Sequence, residues 1–237
     1  MSLVVKKALR LVDLVAEGTT TLSGISSAAG ISHSTTHRLL ATLVEHGYLR
    51  LERRSYRLGP RLFELGRLPR EDLDIVEKLR PILMRYASET RDTIHLAVLT
   101  GRNAQLIERI YGDRGLRINS YPGMMVKALT SAVGKALVAQ LPHGQWAQYL
   151  DDLPGGYHRS RAEVLDDLAR ARGNVAFDQD ECSIGTCGVA ATFMANAEQR
   201  VACSINGATM YFPDGRLTRL APAALRLAGE LEAACRN

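Results

Sequence analysis

Ser32, His33, Ser34, Thr35, Thr36, His37 and Arg38 follow one another, so four hydroxyls, two imidazoles and a guanidinium share one short run of chain. Such groups hydrogen-bond base edges and phosphate oxygens. At the start of a helix they suit the major groove of duplex DNA, where the helix dipole also favours phosphate. Thr35 and Arg38 are the expected phosphate partners, and Ser32 is placed to cap the helix by accepting a backbone N–H. Four further guanidinium groups, Arg50, Arg53, Arg54 and Arg57, follow within a short alternating stretch. His33 and His37, at i and i+4, share a helix face and could grip a metal, but no third ligand accompanies them and no metal is expected.

Positioning these groups takes a helix pair and a hairpin. Leu22, Ile25 and Ala29 fall at helical spacing in a first helix over about 22–29. Gly30 ends it at little cost in the left-handed conformation, and the second helix starts near His33. Leu39, Leu40, Leu43 and Val44 make its buried stripe, leaving His33, Ser34, Thr36, His37 and Thr42 on other faces. Gly47 closes it, Tyr48 to Leu51 alternates as a strand, Ser55 sits at a tight turn, and Tyr56, Arg57 and Leu58 return. Short helix, glycine turn, polar-started helix and arginine-rich hairpin, in that order, predict a winged helix-turn-helix. Ahead of it, Val5, Leu9, Val12 and Val15 or Ala16 recur at helical spacing as an opening helix.

A helix pair with a glycine turn is common in proteins that never meet DNA, so the charge distribution decides. Residues 1–70 hold 11 Lys and Arg against 5 Asp and Glu, a net +6, whereas residues 71–237 hold 19 against 20. The whole basic excess lies in the first third, as in a segment that neutralises phosphates and releases counterions. An anionic membrane surface would also attract it, but no helix here is dominated by Lys or Arg with aromatic anchors. No apolar run reaches the ~18 residues of a spanning helix, and residues 1–17 lack the pattern of a secretory signal, which implies a cytoplasmic location. Four cysteines, Cys182, Cys187, Cys203 and Cys235, are too few and too irregularly spaced for a disulfide framework and read as free thiols.

The 237 residues exceed one usual domain, and 46% apolar content supports a second core. Gly59 and Pro60 end the wing. Residues 61–68 carry Leu62, Leu65 and Leu68 as a short helical stripe that Pro69 should stop. A helix over about 71–90 follows, with Leu73, Val76, Leu79 or Ile82, Leu83, and Tyr86 or Ala87 as its buried edge; Pro81 should kink or interrupt it. From Thr93 the period becomes two: Ile94, Leu96 and Val98 share a face, and a turn at Gly101, Arg102 and Asn103 makes a hairpin. Helices are predicted over about 131–141, 145–149 and 161–171, strands over 188–195 and 200–208, and a last helix over 222–236. That order predicts an α+β fold whose antiparallel sheet is packed by helices. The loop Tyr121-Pro122-Gly123-Met124 and Lys135, one turn into the next helix, point to anions, because turn amides and helix N-termini attract them.

Several ordered segments carry a family resemblance. GISHSTTHRLLATLVEHGYL and YRLGPRLFELG in the first third, then TSAVGKALVAQL, DQDECSIGTCGVAA and VACSINGA, resemble the IclR family of bacterial transcription regulators from end to end. The resemblance implies a winged helix-turn-helix over 1–59, a linker helix over 60–70, and a GAF-like effector-binding and oligomerisation domain over 71–237. It further implies a homodimer or dimer of dimers on double-stranded operator DNA, a repressor more than an activator, a small-molecule effector such as an organic or aromatic acid, and no cofactor. Gly123, Met124, Asp178, Ser204 and Asn206 align with effector-pocket positions of related regulators. Cys187 stands one place ahead of a pocket cysteine, and Gly188 takes the aligned slot. The chain departs from many relatives at Lys127 and Leu129, where they have Pro and His, and at Thr192 and Phe193, where they carry Pro after the paired alanines.

Two rival readings remain open at this level. Cys187, His95 and Asp178 could assemble as nucleophile, base and orienting acid of a thiol enzyme, although no nucleophile-elbow, phosphate-loop, dinucleotide or zinc-hydrolase motif is present. A ligand-independent DNA binder is the other, against which stands a second half of about 150 residues, more chain than a dimerisation helix needs.

Overall fold

Hydroxyl and glycine residues cut the amino-terminal segment into its helices. In the computed structural model, which describes residues 2–67 and 71–236, α1 (Leu3–Ala16) precedes α2 (Leu22–Ala29). Thr21 caps α2, its Oγ1 accepting from the Gly24 amide at 3.2 Å. Gly30 stops α2 at a left-handed φ of 64°, and Ser32 caps α3 (His33–Glu45) by accepting from the Thr35 amide at 3.4 Å. β1 (Leu49–Glu52) and β2 (Ser55–Leu58) form an antiparallel hairpin, followed by α4 (Pro60–Arg67). Pro60 opens α4 in the first turn, where a missing amide costs nothing.

Leu11, Leu14, Val15, Ile25, Leu40, Leu49 and Tyr56 form the core of this unit. The Tyr56 amide donates to the Thr20 carbonyl at 2.7 Å, tying the hairpin to the α1–α2 connection. The opening helix is the expected one, but of its spaced apolar residues only Val15 is buried: Val5 and Leu9 are 57% and 61% exposed, and Leu11 and Leu14 face the core beside Val15. α1 is apolar on more than one face, so periodicity alone does not choose between stripes; packing against α2 and α3 does. The hairpin turn is Arg53-Arg54 rather than Ser55, which already belongs to β2.

The chain divides into two units, Met1–Arg70 and Glu71–Asn237. The second unit opens with α5 (Glu71–Thr90), which runs through Pro81 without interruption. Burial of Leu79, Leu83, Tyr86 and Ala87 outweighs the lost backbone bond of roughly 3 kcal/mol or more. Leu68, Pro69 and the side chain of Leu73 lie outside the described residues.

Next come β3 (Thr93–Thr100), β4 (Asn103–Ile110), β5 (Met125–Lys127), α6 (Ala132–Ala139), α7 (Ala147–Leu150) and α8 (Arg161–Ala171). β6 (Ala176–Gln179), β7 (Thr186–Met194), β8 (Arg200–Ala208), α9 (Arg216–Arg219) and α10 (Ala221–Arg236) complete it. The six strands form one antiparallel sheet in the order β5-β4-β3-β8-β7-β6. Both faces are covered. Ile94, Leu96, Val189 and Phe193 pack with Leu83, Leu227 and Leu231 from α5 and α10. Ala97, Leu106, Ala190 and Ala202 pack with Val133, Leu137, Val164 and Leu168 from α6 and α8. This α+β arrangement is the expected one, with β5, β6 and α9 added to it.

Candidate functional site

On α3, His33, Ser34, His37 and Arg38 are exposed and Thr35 is half-buried, so five polar groups remain on the outer face. Thr36 does not join them. It is fully buried, and its Oγ1 has no hydrogen-bond partner among the described residues. Because an orphaned buried hydroxyl costs ~1–3 kcal/mol, Thr36→Val is expected to raise the melting temperature of the chain and leave DNA binding unchanged. A melting temperature lowered by the change, measured by thermal denaturation, would contradict that account. Ser32 is occupied as a cap, its Oγ meeting the Thr35 amide and the Thr35 Oγ1, the latter at 2.9 Å.

The hairpin sorts its arginines. Arg50 and Arg57 oppose one another across the strands and both reach Glu52, at 3.1 and 3.3 Å. Arg53 and Arg54 occupy the turn at φ 45° and 71°, a backbone that normally selects Asn or Gly. Placing two arginines there costs on the order of 1–2 kcal/mol each. In return the two guanidinium groups sit at the wing tip with no carboxylate partner among the described residues.

In the second unit a cavity of about 260 Å³ lies between the α6 side of the sheet, the start of α6 and two connections. His95, Leu106, Asn206 and Asp178 come from the sheet, and Ser131, Ala132 and Val133 from the head of α6. Ile118 to Ser120, with Met124 and Val126, close one side; Cys182, Ser183 and Thr186 close the other. Sheet register explains the convergence. Asp178 pairs with Gly188 and Gly188 with Asn206, and in the next row Ser204 pairs with His95 and His95 with Arg109. Cross-strand partners share a face.

Hydrogen bonds run along these rows. The Asn206 amide donates from Nδ2 to Ser204 Oγ at 2.6 Å and meets His95 Nδ1 at 3.1 Å, while His95 Nε2 meets Ser120 Oγ at 2.9 Å. Burial holds His95 down to about 4, so the ring is neutral. With Nδ1 accepting from Asn206, the ring proton sits on Nε2 and is donated to Ser120. Asp178 Oδ1 accepts from the backbone amides of Glu181 and Cys182 at 3.0 and 3.2 Å. Its carboxyl is nonetheless pushed up to about 6 by burial, against the opposing effect of those amides and of Lys135.

Of the residues singled out from sequence, His95, Met124, Asp178, Cys187 and Asn206 line the cavity. Ser204 is fully buried behind Asn206. Gly188 is also behind it: a Cβ there would stand 2.1 Å from Asn206 Oδ1, so the absent side chain is the room Asn206 occupies. Cys187 contributes to the wall, but its Sγ meets the Gly207 carbonyl and its side chain joins the core under α5 and α10. Gly123 adopts φ 94°, and its amide donates to the Leu106 carbonyl at 2.6 Å while that of Met124 donates to Tyr121 at 3.1 Å. The turn amides are therefore spent internally and do not greet an anion. Nor does Lys135, which is buried and paired with Glu181 at 2.7 Å, in a cluster that Asp167, Arg159 and Tyr157 complete. Sequence patterning does not place Ser120, Leu106 and Val126 at this site, nor bond His95 to Ser120 and Asn206. Only strand register and the path of the 111–124 connection bring them there.

The three residues of the thiol-enzyme reading, Cys187, His95 and Asp178, reach one cavity but are not linked as nucleophile, base and orienting acid. Both nitrogens of His95 are taken by Ser120 and Asn206, and burial raises the Cys187 thiol to about 12. Among the described residues no group of three His, Cys, Asp or Glu could hold a metal, and no helix is long and apolar enough to cross a membrane.

A winged helix with a cationic tip, joined in one chain to a two-faced sheet that encloses a polar-floored cavity, defines a DNA-binding transcription regulator with an effector domain. The chain belongs to the IclR family of bacterial transcriptional regulators: the IclR helix-turn-helix domain matches residues 4–53 and the IclR C-terminal domain residues 70–233. It is 33% identical to the HTH-type transcriptional regulator XynR of Escherichia coli, covering 87% of this chain and 85% of that protein. It is 28% identical to the transcriptional repressor IclR of the same organism, over 95% and 87% of the two chains. A solved IclR homologue from Microbacterium hydrocarbonoxydans, in complex with 4-hydroxybenzoate, superposes with a TM-score of 0.82 at 21% identity, over 98% and 99% of the chains.

Proposed function

We propose that this regulator is a homo-oligomeric repressor that grips operator DNA with α3 and the wing and releases it when an organic acid occupies the cavity. The observation that carries the DNA half is the Arg53-Arg54 wing tip, where strained backbone is retained at positions whose cations have no carboxylate partner among the described residues. Ser34, His33 and His37 face bases from α3, with Thr35 and Arg38 on phosphates; Arg50 and Arg57, shared with Glu52, contribute less. Residues 71–237 supply the effector site and the oligomer contacts, and α4 with the chain beyond it transmits the signal. The named repressors among the relatives support the sign of regulation, and the homologue bound to 4-hydroxybenzoate supports an acid. An effector acts by binding one of two protein states better, which typically couples ~1–3 kcal/mol between sites.

The test uses an operator enriched from genomic fragments on the full chain. Arg38→Ala is expected to weaken binding about tenfold in a gel-shift titration at fixed moderate salt and to lower the salt slope by about one. Unchanged affinity and slope would remove Arg38 from the interface.

A further inference from the structure

Ala132 and Val133 open α6 on the cavity wall, and their amides have no acceptor among the described residues, whereas those of Gly134 and Lys135 return to Ser131 at 3.2 and 2.9 Å. The head of the helix therefore supplies donors for the carboxylate of a bound acid. It leaves unanswered the charge of the carboxyl already there.

Asp178 stands on the same wall with its two oxygens differently employed. Oδ1 accepts from the Glu181 and Cys182 amides at 3.0 and 3.2 Å, and Oδ2 accepts from no group among the described residues. Among those residues no cationic side chain lines the cavity, and Lys135 of α6 is taken by Glu181 at 2.7 Å. An acid would bring a second carboxylate into about 260 Å³. Two carboxylates so close, and out of water, are not both ionised near neutral pH; one of them holds a proton. Geometry decides which. The open amides of α6 stabilise the ligand as an anion, whereas Asp178 has an oxygen free to carry hydrogen. Protonating Oδ2 costs neither amide bond, since both go to Oδ1, and turns an acceptor into a donor.

We propose that this regulator takes up its acid effector together with one proton, which Asp178 carries on Oδ2 and donates to the bound acid. The inference rests on the effector reading above and gives that site a pH dependence. The surroundings leave the titration to Asp178. Lys135 comes from α6, Glu181 and Cys182 from the β6–β7 connection, Cys187 from β7 and His95 from β3, with Tyr157, Arg159 and Asp167 gathered on Glu181. Burial holds His95 down to about 4, and desolvation on the cavity wall raises the Cys182 and Cys187 thiols to about 11 and 12. The Tyr157 phenol is likewise raised by burial, and Lys135 and Glu181 are held by one another. Burial pushes Asp178 up to about 6, so of the titratable groups lining the cavity it is the one that changes charge near neutral pH. Above that value the ligand-free chain has lost the proton that the acid complex holds, so affinity for an acid falls as the pH rises; below it the proton is already in place.

Proton counting tests this directly. Benzoate, 4-hydroxybenzoate and lactate, each with its amide, are titrated calorimetrically into the full chain and into Asp178→Asn at pH 5.5, 7 and 8, in two buffers of different ionisation enthalpy. An acid that binds the wild type is expected to draw close to one proton from the buffer at pH 7 and 8 and much less at pH 5.5. Its affinity should fall about tenfold between pH 7 and pH 8. Amides should draw no proton. Asp178→Asn should bind the acid without proton uptake, equally well at all three pH values and more tightly than the wild type at pH 8. Acid binding with no proton uptake by the wild type overturns the proposal and leaves a cavity that binds acids. Uptake that persists in Asp178→Asn places the proton on the ligand and overturns it equally. The proton count in the wild type needs no variant, so the test stands if Asp178→Asn fails to fold. Binding of no acid and no amide overturns the effector reading and this inference with it.

Discussion

Alanine at position 134 is expected to destabilise the carboxy-terminal unit by about 3 kcal/mol or more. Gly134 lies in α6, every residue of which is buried, and a Cβ there would stand 2.3 Å from the Ala128 carbonyl oxygen and 2.4 Å from the Ala128 Cα. Both are backbone atoms, so no rotamer change relieves the contact. Either α6 lifts from the sheet or the 128–130 segment moves, and Ser131, Ala132 and Val133 at the head of α6 are part of the cavity wall. The loss corresponds to roughly 6–12 °C for a unit of this size, read from the thermal transition of the full chain, and ligand binding should fall with it. A melting temperature within about 2 °C of wild type would mean that α6 does not press on Ala128 as described.

Nothing in the sequence around Gly134 distinguishes it from a helix glycine of no consequence, which shows where reading by pattern stops. Local signals are legible: Gly30, Ser32 and Gly47 punctuate helices through their own backbone and side-chain chemistry, and they do so in the structure. The clustering of positive charge is legible for the same reason, being a property of composition. What cannot be read is which partner a group meets. Thr36 shares its residue type with the half-buried Thr35, and only packing around Leu40 buries one fully and not the other. Lys135 looks like a cation for a ligand until Glu181, far along the chain, is folded against it. Arg50 and Arg57 look equivalent to Arg53 and Arg54 until hairpin register hands them Glu52. The cavity is the extreme case, since its polar floor depends on Gly188 vacating the space that Asn206 fills from the neighbouring strand.

Asp178→Asn is expected to stabilise the ligand-free chain at pH 8 and to leave it nearly unchanged at pH 4. Asparagine keeps an oxygen to accept from the Glu181 and Cys182 amides, so the turn after β6 stays tied down. What it removes is a buried charge. The carboxyl is held near 6 in the folded chain against an ordinary 3.8. Between those values the native state retains a proton that the unfolded chain has lost, and stability falls as the pH rises through that window. Below 3.8 both states are protonated and nothing is lost; above about 6 the full penalty applies. A rise of that size corresponds to about 2–3 kcal/mol, or roughly 5–10 °C in melting temperature. Melting curves of wild type and variant from pH 4 to pH 8 should therefore diverge as the pH is raised, with the wild type declining. The same substitution removes a negative charge facing the ligand, so affinity for an acid should rise at pH 8 and approach that of the wild type as Asp178 is protonated. Parallel melting curves across the whole range would show that Asp178 is solvated in the folded chain.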